Sequence, residues 1–277
     1  MATVDIKSQG ASGDGATDDT DAFNNALRAA EGGKLVVPAG RYMIDAIKGI
    51  RPLSNTEIEL DDNAVLAVIP NSEKSYKLIR LRDCDNVTIR GGTLKGDRKR
   101  HEGTCGEWGM GIHVGSGCNE IVLSNIHSRE MWGDGFYIGG PLPPKDVTIC
   151  NCVSDFNRRQ GLSIVSGSEI TVINNSFANT RGTRPQSGID IEPDRNGPGV
   201  DKVLIEGNQF INNGEVGIQI VGKWAPVRDV TIRKNHYIGQ RPLKIKHATS
   251  NYRQSTLSKL FCLFRSYGLE ITDCRLP

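Results

Sequence analysis

Aromatic residues are scarce in this chain, 6% of 277, and only 37% of its residues are hydrophobic. A compact helical bundle with a Leu- and Ala-rich interior is therefore not expected. No apolar run approaches the ~18 residues that a bilayer-crossing helix needs. The opening residues, MATVDIKSQG, lack a basic stretch followed by an apolar one, so no signal peptide is visible and the location stays open. A phosphate-cradling Gly loop, a metalloprotease helix and a Ser nucleophile elbow are all missing. Charge of one sign is missing too, with 34 basic against 32 acidic residues. No nucleic-acid or membrane partner is expected. From Arg228 onward, however, ten Lys and Arg face three Asp and Glu. Such an end either attracts an anionic partner or is a solvated face. The seven Cys are odd in number and match no zinc spacing. Free buried thiols are expected, with disulfides as the alternative; Cys150 and Cys152 would share one face of a strand.

Glycine is plentiful, at 32 residues, and it falls in a repeat of roughly 23–34 residues. Each unit opens on a β-branched run: Val87-Thr88-Ile89, Ile121-Val122-Leu123, Val147-Thr148-Ile149, Ile170-Thr171-Val172, Val203-Leu204-Ile205 and Val230-Thr231-Ile232. Asn or Gly follows, at Gly91, Asn125, Asn151, Asn175, Asn208 and Asn235. The unit closes on Gly-apolar-x-apolar, from Gly111-Ile112-His113-Val114 through Gly135, Gly161, Gly188 and Gly217 to a variant at Pro242. Alternation with a period of two predicts strands. Strands this short bury no face alone and must stack. Hairpins are disfavoured, because Asn-Gly is absent where they would need it. The predicted fold is all-β: a single-stranded right-handed parallel β-helix, or solenoid.

A helix carrying Phe23, Ala26, Leu27 and Ala30, N-capped within Asp18-Asp19-Thr20 and stopped at Gly32-Gly33, is predicted to cap the N-terminal end. Residues 1–254 form one domain in this reading. Residues 255–277 break the repeat, and Ser255 to Arg265 has helical potential as a second cap.

The stretch Ser8 to Phe23, followed by Gly32-Gly-Lys-Leu-Val-Val-Pro-Ala-Gly-Arg41, resembles the opening module of the pectate-lyase-like superfamily. That module heads polygalacturonases, alginate C5-epimerases and many phage tailspikes. With the coils behind it, the resemblance covers most of residues 3–250. It implies the right-handed parallel β-helix and leaves the reaction open. Trp132-Gly133-Asp134-Gly135-Phe136 is similar to the Asn-Thr-Asp-Gly-Ile/Phe strand of polygalacturonases and matches at the acid. Where their next coils carry Asp-Asp and Gly-His-Gly, this chain has Arg159-Gln160-Gly161 and Gln186-Ser187-Gly188. Lys244-Ile245-Lys246 echoes their Arg-Ile-Lys one coil late. Thr93 to Arg98 and Arg129 to Phe136 resemble segments of alginate epimerases, whose catalytic Asp-Pro-His is replaced here by Tyr137-Ile138-Gly139.

Stacked coils repeat about every 4.8 Å. The x positions of the closing runs face outward and read His113, Tyr137, Ser163, Asp190, Gln219 and Lys244, with Glu192 and Lys246 next along. Three chemistries fit this stripe, beside the alternative of an inert surface. Asp134 and Asp190, two coils or about 9–10 Å apart, approach the ~6.5–9.5 Å carboxyl separation of an inverting glycosidase. His113 as base, Tyr137 as acid and Lys244 or Arg241 as carboxylate partner suit a lyase or C5-epimerase. Asp190, Glu192 and Asp194 are the candidate ligands of a Ca²⁺ ion, or simply a solvated rim. Trp108, Trp132 and Trp224 lie in loops near the stripe, where they either stack on sugars or pack against the solenoid. The leading expectation is a carbohydrate-active enzyme acting on an acidic, uronate-containing polysaccharide by lyase or hydrolase cleavage or by epimerisation. No cofactor is required, Ca²⁺ apart. The alternative is a non-catalytic polysaccharide-binding or structural β-helix. A monomer is expected for the enzyme and a trimer for a tailspike-like module.

Overall fold

The β-branched runs form strands because one side-chain row finds a dry interior. Val87, Ile89, Ile121, Leu123, Val147 and Ile149 are all fully buried. Thr88, Val122 and Thr148 stand half-exposed on the other face. The computed structural model describes residues 2–247 and 270–272. It is an all-β parallel solenoid of about nine turns. Its strands lie in three sheets of ten, seven and nine, and each sheet takes one strand from successive coils. The six β-branched runs stack in register: Val87, Ile121, Val147, Ile170, Val203 and Val230 are successive neighbours.

The glycines of the closing runs have a steric cause. A Cβ on Gly135 would stand 2.8 Å from the carbonyl oxygen of Gly161, and a Cβ on Gly161 would stand 2.4 Å from that of Gly188. Each coil sits down on the backbone of the next, so the position admits no side chain. The turns also repeat. Asn125, Asn151 and Asn174 take left-handed backbone, with φ of 55°, 54° and 56°, which Asn tolerates better than most residues. The residue after the turn is buried. There Asn175, Asn208 and Asn235 form a ladder, each side-chain oxygen accepting the backbone N–H of the preceding coil at 2.8–2.9 Å. Inside, Phe177, Phe210 and Tyr237 stack with centroids 5.5 and 5.0 Å apart. The ladder satisfies buried polar backbone while the ring stack fills volume.

The predicted helix forms over Thr20–Ala30, with Phe23, Ala26, Leu27 and Ala30 buried. Its N-cap is Asp19, but that side chain does not cap it. The Asp19 carboxylate instead accepts from the N–H groups of Ser12 (2.6 Å) and Gly13 (3.0 Å). The helix ends at Glu31, in left-handed backbone, one residue before the predicted glycines. Of the C-terminal tail, Glu270–Thr272 pairs in parallel with Val227–Arg233. The helix predicted over 255–265, with Cys262 and Cys274, lies outside the described residues. Cys84, Cys105, Cys118, Cys150 and Cys152 are free thiols. Cys84 and Cys118 lie on adjacent coils, their Sγ atoms 3.7 Å apart.

Candidate functional site

The outward stripe assembles in the predicted order. His113, Tyr137, Ser163, Asp190, Gln219 and Lys244 are successive register neighbours on the seven-stranded sheet. The sheet begins one coil earlier than the glycine repeat, with the strand Ser75–Leu81, and Arg80 is the neighbour of His113. That strand lacks the Gly-apolar-x-apolar form, so its cations escaped the sequence reading.

The middle of the stripe is closed. Ser163, Asp190 and Gln219 are each 2% exposed and Asp134 is fully buried. Asp134 Oδ2 accepts from Arg159 Nη1 and from Ser163 Oγ, both at 2.9 Å. Asp190 lies between two amides: Gln160 Nε2 donates to Oδ2 at 2.8 Å and Gln219 Nε2 to Oδ1 at 3.0 Å. Burial raises both carboxyls, Asp134 to about 6 against the pull of Arg159, and Asp190 to about 7. Arg159-Gln160 thus stands where the polygalacturonase pattern has two acids, and it ties up the two carboxyls that remain. Neither acid is open to solvent, so the stripe does not offer a free glycosidase pair. The sequence signal for this was the substitution itself: a guanidinium and an amide at an acidic position.

The N-terminal part is open. A cavity of about 530 Å³ is lined by Lys77, Trp108, His113, Tyr137 and Asp194, among others. The rings of His113 and Tyr137 meet edge to face, 5.0 Å between centroids. His113 Nε2 lies 3.0 Å from the carbonyl oxygen of Gly139, to which it donates, and Nδ1 is buried with no partner. Burial lowers His113 to about 4, a shift that Lys77, Arg80 and Arg82 assist and the Gly139 bond opposes. Burial also raises the Tyr137 phenol above its ordinary range. At neutral pH the pair is an uncharged imidazole beside a protonated phenol.

The remaining expected residues are scattered. Lys244 pairs with Glu215. It lies four coils from Tyr137 by register, about 19 Å at ~4.8 Å per coil. Arg241 and Lys246 are exposed on the same last strand. None of these three reaches His113, because one coil of spacing separates each register step; Lys77 is the cation at the cavity. Trp108 is 44% exposed and lines the cavity. Trp132 cannot stack a sugar. His101 covers one face at 4.0 Å and the Arg158 guanidinium the other at 3.8 Å. His101 is held by Asp97, 2.8 Å from its Nδ1, and Asp97 also accepts from the Tyr76 hydroxyl. Trp132 therefore pins the strap of residues 97–107 to the coils. Trp224 lies apart, between Arg195 and Lys223. Among the described residues no three His, Cys, Asp or Glu side chains form a metal-holding group. Asp190, Glu192 and Asp194 alternate along one segment, but the Asp190 oxygens are already taken by glutamine amides.

Residues 49–275 match the family described as right-handed beta helix region, and residues 3–63 match rhamnogalacturonase A/epimerase, pectate lyase-like. The uncharacterized protein YclG of Bacillus subtilis is 31% identical over 236 residues, which is 72% of this chain and 40% of that protein. Mannuronan C5-epimerase AlgE2 of Azotobacter vinelandii is 27% identical over 264 residues, 78% of this chain and 25% of that protein. Among solved structures, the pre-mature bacteriophage phi29 gene product 12 superposes with a TM-score of 0.77 at 22% identity, covering 91% of this chain and 35% of that one. The chain spans about 40% or less of the length of these relatives.

Proposed function

The chain belongs to the right-handed β-helix family, and from that premise we propose that it acts on a uronate-containing polysaccharide by proton transfer at the His113–Tyr137 cavity. One observation carries this reading. A neutral imidazole with an unpartnered nitrogen and a protonated phenol meet at the rim of a cavity that Lys77 also lines. The two rings are the groups needed to take a proton from one face of a carbon acid and return one to the other. In this mechanism Lys77 neutralises the sugar carboxylate, so the C5–H beside it becomes acidic enough to lose its proton to His113. The electron pair left on C5 then either forms the C4=C5 double bond as the C4–O4 bond breaks and the departing oxygen takes the Tyr137 proton, which is elimination, or takes a proton from Tyr137 on the opposite face, which is C5-epimerisation. Similarity to a mannuronan C5-epimerase supports this class of substrate. Of the predicted domain, 1–254, the described coils act as one solenoid, with the helix at Thr20–Ala30 as its N-terminal cap; residues 248–254 lie outside the described residues. In this reading Ca²⁺ aids polymer binding at the Glu192–Asp194 rim.

The test is incubation with polymannuronate and polygalacturonate in D₂O, with and without Ca²⁺, read by mass and NMR. Deuterium at C5 or unsaturated fragments are expected. Tyr137→Phe should lower the rate by about 10²–10⁴-fold. Unchanged turnover in that variant, or fragments heavier by one water, would overturn the proposal.

A second reading is a non-catalytic attachment module. It is favoured by the buried acids Asp134 and Asp190, whose charges are engaged by neighbouring coils, and by likeness to a bacteriophage protein. Solution mass separates the two: a trimer favours attachment, a monomer the enzyme.

A further inference from the structure

The cations along the groove are of two kinds. Arg159 in the middle is paired with Asp134 and Lys244 at the C-terminal end with Glu215, whereas Arg241 and Lys246 beside Lys244 are exposed to water and have no ion pair among the described residues. At the N-terminal end half-buried cations go unpaired. The bridge between Ile50 and Ile79 sets Arg51 beside Arg80, and Arg80 adjoins His113. Among the described residues, Arg51, Lys77 and Arg80 have no carboxylate within ion-pair distance. The Arg51 Nε donates to the Lys48 carbonyl at 3.2 Å, and Lys77 Nζ donates to Ser75 Oγ at 2.7 Å. Among the described residues Arg82 pairs only with its neighbour Asp83, at 3.2 Å.

Arg51 is exposed while Lys77 and Arg80 are half-buried, and half-buried like charges without counter-ions are unfavourable. Lys77 and Arg80 both sit below their ordinary pKa ranges, through burial first and then repulsion, from Arg80 at Lys77 and from Arg51 and Arg82 at Arg80. A fold that keeps such a cluster at the mouth of a groove gains when an anion arrives. Coils repeat every ~4.8 Å, close to the length of one pyranose in an extended 1,4-linked chain. Successive sugars therefore meet successive coils.

We propose that Arg80, one coil N-terminal to His113, and Arg51, on the coil before it, form an anion subsite that takes the carboxylate of the sugar next to the reacting one. The inference rests on the reading above and narrows it. Lys77 shares a strand with Arg80, but it lines the His113–Tyr137 cavity and Arg80 does not; Lys77 therefore holds the reacting sugar from the side and Arg80 with Arg51 holds its neighbour, so the substrate carries uronates at consecutive positions. A polymer with a neutral sugar between its acids would lack one of the two anchors.

The experiment is calorimetric titration of the whole chain with polymannuronate, polygalacturonate, dextran sulfate and neutral dextran at two salt concentrations. Wild type should bind the polyuronates and not dextran. The double variant Arg51→Gln/Arg80→Gln should weaken polyuronate binding by about tenfold or more and flatten its salt dependence. Arg80→Lys should keep most of that salt dependence, and unfolding curves check that the variants are folded. Tyr137→Phe should bind as wild type does. Unchanged affinity and salt dependence in the double variant would overturn the subsite. So would dextran sulfate binding without polyuronate binding, which would reassign the anion to sulfate, and so would no binding of any polyuronate. Weakened binding with no turnover on any polymer would keep the subsite and remove the proton-transfer reading. Full turnover with unchanged binding in the double variant would do the reverse.

Discussion

Two stretches of one side-chain row behave in opposite ways. Around Asp134, Ser163 and Asp190 the row is sealed, and each carboxylate accepts hydrogen bonds from neighbouring coils, although Asp134 Oδ1 and Gln219 Oε1 have no partner. Around Arg80, His113 and Tyr137 it is open, with unpaired cations and a buried imidazole nitrogen that nothing satisfies. Topology is the same in both, so stacking does not decide which stretch is a site. Satisfaction does. A buried polar group that already has its partners has little to offer a ligand, whereas one left without them is stabilised when a ligand supplies them. Acidity points the same way only after the partners are counted: Asp134 and Asp190 have the most perturbed carboxyls in the row, yet they belong to the sealed stretch.

The contrast can be broken at its centre. Arg159→Met leaves Asp134 buried without its cation and should cost about 3–5 kcal/mol at pH 8, read by urea unfolding. The double change Arg159→Met/Asp134→Leu should recover most of that loss. If Arg159→Met leaves stability unchanged, the middle of the row is not a structural network.

A smaller effect is expected from pH. Asp190 titrates near 7 in the folded chain because burial raises it from 3.8. Its protonated form therefore contributes stability that is complete below about 3.8 and lost as pH rises through about 7. Asp134 acts in the same direction up to about 6. His113 acts oppositely, since its lowered pKa favours the fold above its unfolded value and the benefit is lost as pH falls through about 4. Subtracting Asp190→Asn from wild type isolates the first. The difference in unfolding free energy should change by on the order of 3 kcal/mol between pH 4 and pH 8. A flat difference would remove Asp190 from the buried network.

The smallest effect sharpens the open end. Trp108 is solvent-exposed at the cavity, so Trp108→Ala should leave thermal stability within about 0.5 kcal/mol. Oligouronate binding should weaken by about 0.5–1.5 kcal/mol. Equal losses for Trp132→Ala in binding, without a loss of stability, would contradict its position between His101 and Arg158.

Much of this was legible in the residues. The β-branched runs and the Gly-apolar-x-apolar runs specified strands, stacking order and register, because one buried face with a period of two admits no one-residue slip. The helix face at Phe23, Ala26, Leu27 and Ala30 followed from spacing alone. The turn rule was coarser: Asn125, Asn151 and Asn174 bend the chain, while Asn175, Asn208 and Asn235 do the separate work of the ladder. Periodicity could name the row His113, Tyr137, Ser163, Asp190, Gln219, Lys244, since order along a solenoid is a one-dimensional property. It could not say which members are covered. That depends on side chains reaching across coils: Arg159 onto Asp134, Gln160 and Gln219 onto Asp190, His101 and Arg158 onto the two faces of Trp132. Burial, charge pairing and the ~19 Å that part Lys244 from Tyr137 exist only in three dimensions. They are set by contacts between residues some 25 to 60 positions apart, which local spacing does not encode.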